Sequence, residues 1–131
     1  MSVFTNPASS APEQAREYVR AILDLLGTAN PIDVLRQTPA ALDRRVADLS
    51  REQIGQSEAP GKWSVRAVLQ HLADSDLVWG YRVRMVLSHD RPRLTGYDQD
   101  LFASRLHYEE ADPAAALEQF RVLRRSNLAL L

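Results

Sequence analysis

The sequence predicts an all-helical domain, and three observations predict it. Apolar residues recur at helical spacing through most of the chain. Asn30-Pro31, Ser64, Asp98 and Asp112-Pro113 each offer an N-cap at the start of such a run, two of them with proline at the first helical position. Neither Asn-Gly nor Asp-Gly joins two alternating apolar runs, and the few β-branched clusters sit inside 3.6-residue patterns, so no strand signal competes.

Taken in order, residues 1–11 are small, polar and interrupted by Pro7, and are expected to form a flexible arm ahead of a single domain over 12–131. Pro12 enters a first helix, with Glu13 and Glu17 near its positive end, a stripe of Val19, Ile22, Leu23 and Leu26, and Gly27 as the stop. Asn30-Pro31 starts a second, in which Ile32, Leu35, Leu42, Val46 and Leu49 keep a helical period. Pro39 predicts a break or kink near Thr38. Between Ser50 and Gly61 the residues Gly55, Pro60 and Gly61 mark a connection with at most one helical turn around Arg51 to Ile54. Ser64 caps a long helix to about His89, whose apolar stripe centres on Leu72 and Trp79. Trp63, just before the cap, is placed to staple against Ala67 or Val68. Asp98 caps a helix of about three turns. Asp112-Pro113 opens the last one, on which Leu117, Phe120, Leu123 and Leu131 share a face that no later segment covers.

With 131 residues there is room for one core. Sixteen Lys and Arg against seventeen Asp and Glu leave a net charge of -1, which gives no global field for a polyanion, so no nucleic-acid partner is expected. The pairs Arg44-Arg45 and Arg124-Arg125 read as solvated faces. No run of apolar residues is long enough for a membrane span and no leader pattern stands at the start, so the expectation is a cytoplasmic protein without a membrane partner. The absence of cysteine removes thiolate ligands and an internal thiol nucleophile. Any metal must bind through nitrogen and oxygen. Walker, Gly-x-Gly-x-x-Gly, Gly-x-Ser-x-Gly and calcium-loop patterns are all missing.

Among the three histidines, His71 stands apart. At 100° per residue, Ser75 lies about +40° from it and Asp74 about -60°, which puts the imidazole on the shoulder of the apolar face, in reach of a gap between helices. Two readings fit that placement: a metal ligand, or an interhelical histidine bonded to Asp74 or a carbonyl. His89 reads as a cap at the negative end of the long helix, and His107 as a surface residue.

The segment Gly61-Lys62-Trp63-Ser64 through His71-Leu72-Ala73-Asp74 resembles the signature of the DinB-like (YfiT-like) superfamily, and the resemblance runs from about Tyr18 to the end. It implies a four-helix bundle of up-down-down-up topology, commonly a homodimer, with a divalent metal (nickel, zinc or iron) held by three histidines: one on the second bundle helix and a His-x-x-x-His pair on the last. His71 takes the first position, and Asp74 that of a partner which fixes its tautomer. The pair has no counterpart here, and the chain stops at Leu128-Ala129-Leu130-Leu131 without a cap, so the expectation is a bundle whose fourth helix is missing from this chain. Trp79 and Arg82 would border the metal's open position. The activity implied is metal-dependent, either transfer or isomerisation with a low-molecular-weight thiol or hydrolysis by an activated water, with a non-catalytic metal-binding or structural bundle as the alternative.

Overall fold

Each of the cap signals starts a helix. The computed structural model describes residues 12–131, with side chains from Arg16 onward, so the expected arm at 1–11 lies outside the described residues. Six α-helices follow one another: α1 Pro12–Leu26, α2 Pro31–Val46, α3 Arg51–Gly55, α4 Val65–Ser88, α5 Gln99–Arg105 and α6 Pro113–Leu128, with a 3-10 turn at Tyr108–Glu110. The Asn30 side chain accepts from the amides of Ile32 and Asp33, Asp98 from those of Asp100 and Leu101, and Asp112 from Ala114. Ser50 and Gln53 close a reciprocal capping box on α3. Gly27, at a φ of +58°, ends α1 in the left-handed conformation that glycine adopts without penalty. None of the helices described is long and apolar enough to cross a membrane.

Contacts set the directions. Leu35 on α2 meets Arg124 on α6, Asp43 meets Arg121, and Val46 packs at the Leu69, Ala116 and Leu117 cluster, so α2 and α6 are antiparallel. On α4, Leu69 meets Ala116 and Leu117, Asp76 meets Arg124, and Arg84 meets Asn127, so α4 and α6 are parallel. Helices α2, α4 and α6 therefore run up, down and down. A parallel pair cannot be joined by a tight turn, and the segment from His89 to Asp112, carrying α5 and the 3-10 turn, is the crossover that returns the chain to the start of α4.

The α4–α6 seam differs from the expected one. Leu69, Ala73, Asp76 and Gly80, at four-three-four spacing, face α6 and are all buried. This line lies about 80° round the helix from the predicted stripe. Leu72 and Trp79 are only half-buried, and Val68 and Val86 are exposed. Small residues let the two helices approach so closely that a Cβ on Gly80 would overlap the Asn127 side chain. Asn127 in turn donates to the Asp76 carbonyl at 2.8 Å.

The seam centres on an ion pair. Arg124, expected on a solvated face, is 9% exposed; its Nε and Nη2 donate to the Asp76 carboxylate at 2.8 to 3.2 Å. Its guanidinium also lies 4.7 Å from the Phe120 ring centre and 5.9 Å from that of Trp79. Nη1 donates to the Leu35 carbonyl at 3.0 Å. That carbonyl is free because Pro39, four residues on, has no N–H to give it. Pro39 thus does not break α2, which is assigned without interruption from Pro31 to Val46. It leaves an acceptor that α6 fills.

Two further expectations are corrected. Helix α5 has seven residues, about two turns, rather than three. The α6 face is not uncovered: Ala116, Leu117 and Phe120 are enclosed by α2 and α4, and Leu123 is half-buried, although Leu131 is exposed. The open apolar side chains lie instead on α1 (Val19, Ile22, Leu23) and on α4 (Leu77, Tyr81, Val86, Leu87).

Candidate functional site

The crossover is latched to the first turns of α4, and the latch surrounds His71. Ser64 caps α4 by accepting from the Ala67 amide at 3.2 Å, while its hydroxyl donates to Glu109 at 2.5 Å. Arg66 donates to the Glu109 carbonyl. One residue earlier, the buried Tyr108 hydroxyl donates to Asp74 at 2.5 Å, and Gln70 donates to the other Asp74 oxygen at 3.3 Å. Burial, reinforced by the bond to Asp74, pushes the Tyr108 phenol well above its ordinary pKa. It stays a neutral donor.

Trp63, the residue before the cap, fills the angle between these elements. Its ring centre is 5.0 Å from that of His71 and 6.2 Å from that of Tyr108, both edge-on. Its neighbours thus include the candidate imidazole as well as the core. Beyond the indole lies an open cavity of about 990 Å³ between α2 and α4, walled by Leu42, Val46, Val65, Leu69 and Trp63, with Lys62 and Asp100 among its polar lining.

His71 is half-buried. Burial holds its pKa below the ordinary histidine value, against the opposing charges of Asp74 and Asp100, so the ring is neutral near pH 7. Neutral imidazole is the form that binds a metal. The Nε2 atom lies 3.4 Å from Ser75 Oγ, which shares a 2.9 Å hydrogen bond with the Tyr97 hydroxyl. Nδ1 is buried and has no hydrogen-bond partner. Tyr97 comes from the crossover and is held by Phe102, whose ring centre is 4.9 Å away, and by the Arg82 guanidinium at 5.9 Å; Arg82 is itself tied to the Thr95 carbonyl at 2.6 Å.

The predicted site residues therefore part company. His71 and Asp74 are one turn apart, but the Asp74 carboxylate is taken by Tyr108 and Gln70, and it reaches the imidazole through its charge alone. Arg82 joins the Tyr97 side of the site, whereas Trp79 lies against Arg124 in the α4–α6 seam. His89 caps the far end of α4 and pairs with Ser88, and His107 is exposed with a φ of +53°. Among the described residues no three His, Asp or Glu side chains come together as a metal site. A neutral imidazole is the form that could fill one ligand position.

Ser75 was placed beside His71 by the sequence but given no role, and Tyr97, Tyr108 and Glu109 were not expected at the site. Ser75 carried a signal, since it stands one turn from His71 on the same side of the helix. The other three lie on the crossover, and no helical period links them to α4.

A parallel helix pair joined by a long crossover, with an inward imidazole where the crossover returns, defines a helical bundle of up-down-down order. The chain belongs to the DinB superfamily, whose family model matches residues 34–131. It is 31% identical over 100 residues to a Bacillus subtilis protein named "Putative metal-dependent hydrolase YfiT", covering 76% of this chain and 56% of the relative. A Geobacillus thermodenitrificans protein named "Putative metal-dependent hydrolase" is 28% identical over 103 residues, 79% of this chain and 51% of the relative. The solved structure of Bacillus subtilis YfiT, described as a probable metal-dependent hydrolase with an unusual four-helix bundle topology, superimposes with a TM-score of 0.70 at 26% identity, covering 97% of this chain and 65% of that one. The chain spans about half the length of the curated relatives it matches.

Proposed function

We propose that this chain forms part of a divalent-metal-dependent hydrolase in which His71 supplies one nitrogen ligand. The observation that carries the reading is the imidazole itself, neutral through burial, turned in beside the latch and left with an unpartnered nitrogen. The names of the relatives support it. Nickel, zinc and iron all suit imidazole, and such an ion supplies Lewis acidity and lowers the pKa of a water held at an open position.

The chain's own residues do the rest of what can be assigned. Trp63 shields one side of the imidazole from water and walls the cavity in which an organic substrate has room. The bonds from Tyr108 to Asp74 and from Ser64 to Glu109 hold the crossover against α4, so that Tyr97 stays beside His71. Were a thiol rather than water the nucleophile, it would come from a low-molecular-weight thiol, because the chain has no cysteine. The hydrolase reading stands first because it is the one that the relatives' names carry.

The test is metal analysis of the full-length protein. One divalent ion per chain is expected, with occupancy falling sharply in His71→Ala; equal occupancy in the two proteins would refute the reading. A homodimer is proposed alongside, supported by the exposed Leu77, Tyr81 and Leu87 of α4. Light scattering at twice the chain mass is the expected result, and a monomer at all concentrations the contrary one.

A further inference from the structure

We propose that residues 92–106, the stretch of the crossover that carries α5, form a hinged lid over His71 and the mouth of the adjoining cavity. Its opening, with the latch at Tyr108 and Glu109 still closed, is the way in for a ligand, whatever the imidazole binds. Two observations bound the lid. No side chain from Pro92 to Leu106 is buried, whereas Tyr108, two residues on, is 1% exposed. At either end the backbone turns through the left-handed region, at Arg91 with a φ of +48° and at His107 with a φ of +53°, and among the described residues no other non-glycine residue does so. A side chain is held there at a cost, so both residues gain by rotating out of it. Loop and element-terminal residues that absorb such a change are what hinges are made of.

The lid lies where it controls access. Its Tyr97 hydroxyl shares a 2.9 Å hydrogen bond with Ser75, whose Oγ is 3.4 Å from His71 Nε2. Nδ1 is enclosed by the chain's own atoms, and at the other nitrogen Ser75 and the lid's Tyr97 stand in the way. At the start of α5, Gln99 and Asp100 line the cavity between α2 and α4, and the Asp100 charge is felt at His71. One movement thus opens both. What holds the lid down is slight: the bond between Tyr97 and Ser75, the bond from Arg82 to the Thr95 carbonyl at 2.6 Å, and the Arg82 guanidinium over the Tyr97 ring. The Asp98 cap and the turns of α5 are bonds within the lid, so it moves as a unit. A segment with no buried side chain and few bonds to its neighbours opens at a lower free energy than the core around it.

The experiment is hydrogen–deuterium exchange on the full-length protein, read by mass spectrometry, beside carbethoxylation of its histidines by diethyl pyrocarbonate. In the parent, the amides of α5 should exchange at least about tenfold faster than those of α6 and of the middle of α4, as local opening without unfolding allows. His71 should react more slowly than the exposed His89. Tyr97→Phe takes from the lid only its bond to Ser75 and should raise α5 exchange and the His71 rate alike, each by about fivefold, the worth of one hydrogen bond. Exchange of α6 and the His89 rate should stay as they were, which also shows that the variant is folded. Arg91→Gly with His107→Gly relieves both hinges of the closed lid and should lower both rates. Amides of α5 that exchange only together with α4 and α6, or a change at α5 in Tyr97→Phe that is absent or unmatched at His71, overturn the lid. Rates in the glycine pair that are unchanged or faster overturn the hinges.

Discussion

Removing one partner of the buried Asp76–Arg124 pair tests the seam that holds α4 parallel to α6. In Asp76→Ala the guanidinium loses three bonds of 2.8 to 3.2 Å and keeps only the Leu35 carbonyl and the faces of Phe120 and Trp79. The two side chains are 5% and 10% exposed, so solvent offers little relief. Breaking a buried pair from one side costs about 3 to 5 kcal/mol, set against about 5 to 15 kcal/mol for a whole domain. At an m value of about 2 kcal/mol/M this is a fall of about 2 M in the urea midpoint, read by circular dichroism. Replacing both, as Asp76→Leu with Arg124→Met, removes the uncompensated charge and should cost much less. What remains is the stranded Leu35 carbonyl, worth about 1 to 3 kcal/mol. Adding Pro39→Ala to that double variant supplies an N–H for this carbonyl and should recover part of the loss. A fall of less than about 1 kcal/mol in Asp76→Ala, or a double variant as unstable as the sum of the singles, would mean that the two side chains are not coupled and do not hold the seam.

Other substitutions bear on the latch and the close approach. Tyr108→Phe leaves the buried Asp74 carboxylate short of its 2.5 Å donor and should lower stability by about 1 to 3 kcal/mol in the same urea assay, with no loss meaning that the bond is immaterial. Gly80→Ala should destabilise by about 1 to 3 kcal/mol through overlap with Asn127, and thermal unfolding indistinguishable from the parent would contradict the packing. The lowered pKa of His71 sets a pH dependence: the unfolded chain binds the proton more readily, so the contribution is complete above about pH 6.5 and is lost as pH falls through the folded value. Metal-free protein should therefore lose stability on acidification in this range, and His71→Asn should flatten that slope; identical slopes would count against a desolvated imidazole.

How much of this was legible in the sequence depends on how far each cause reaches along the chain. Helix starts were legible because a cap is a contact across two or three residues, as at Asn30, Ser64, Asp98 and Asp112. The rotation of α4 was not. Large side chains such as Leu72 and Trp79 dominate its hydrophobic pattern, but the closest neighbour is met by Ala73 and Gly80, which are small, and by Asp76, which is charged. Asp76 and Arg124 lie 48 residues apart, and nothing local to either marks a partner. Pro39 was read through its missing donor, correctly as chemistry, but the freed carbonyl is satisfied from another helix rather than by a break. At the site, the shoulder position of His71 was readable from helical geometry. The residues around it come from a crossover whose course is set by the parallel pairing of α4 and α6.

Ligation of a metal by His71 has a spectroscopic signature of its own. X-ray absorption at the zinc edge of the zinc-loaded, full-length protein measures it most directly, since imidazole nitrogens at about 2.0 to 2.1 Å leave a characteristic outer-shell scattering pattern. In His71→Ala this pattern should weaken by one imidazole, along with the zinc affinity. An identical spectrum and an identical affinity in parent and variant would contradict it.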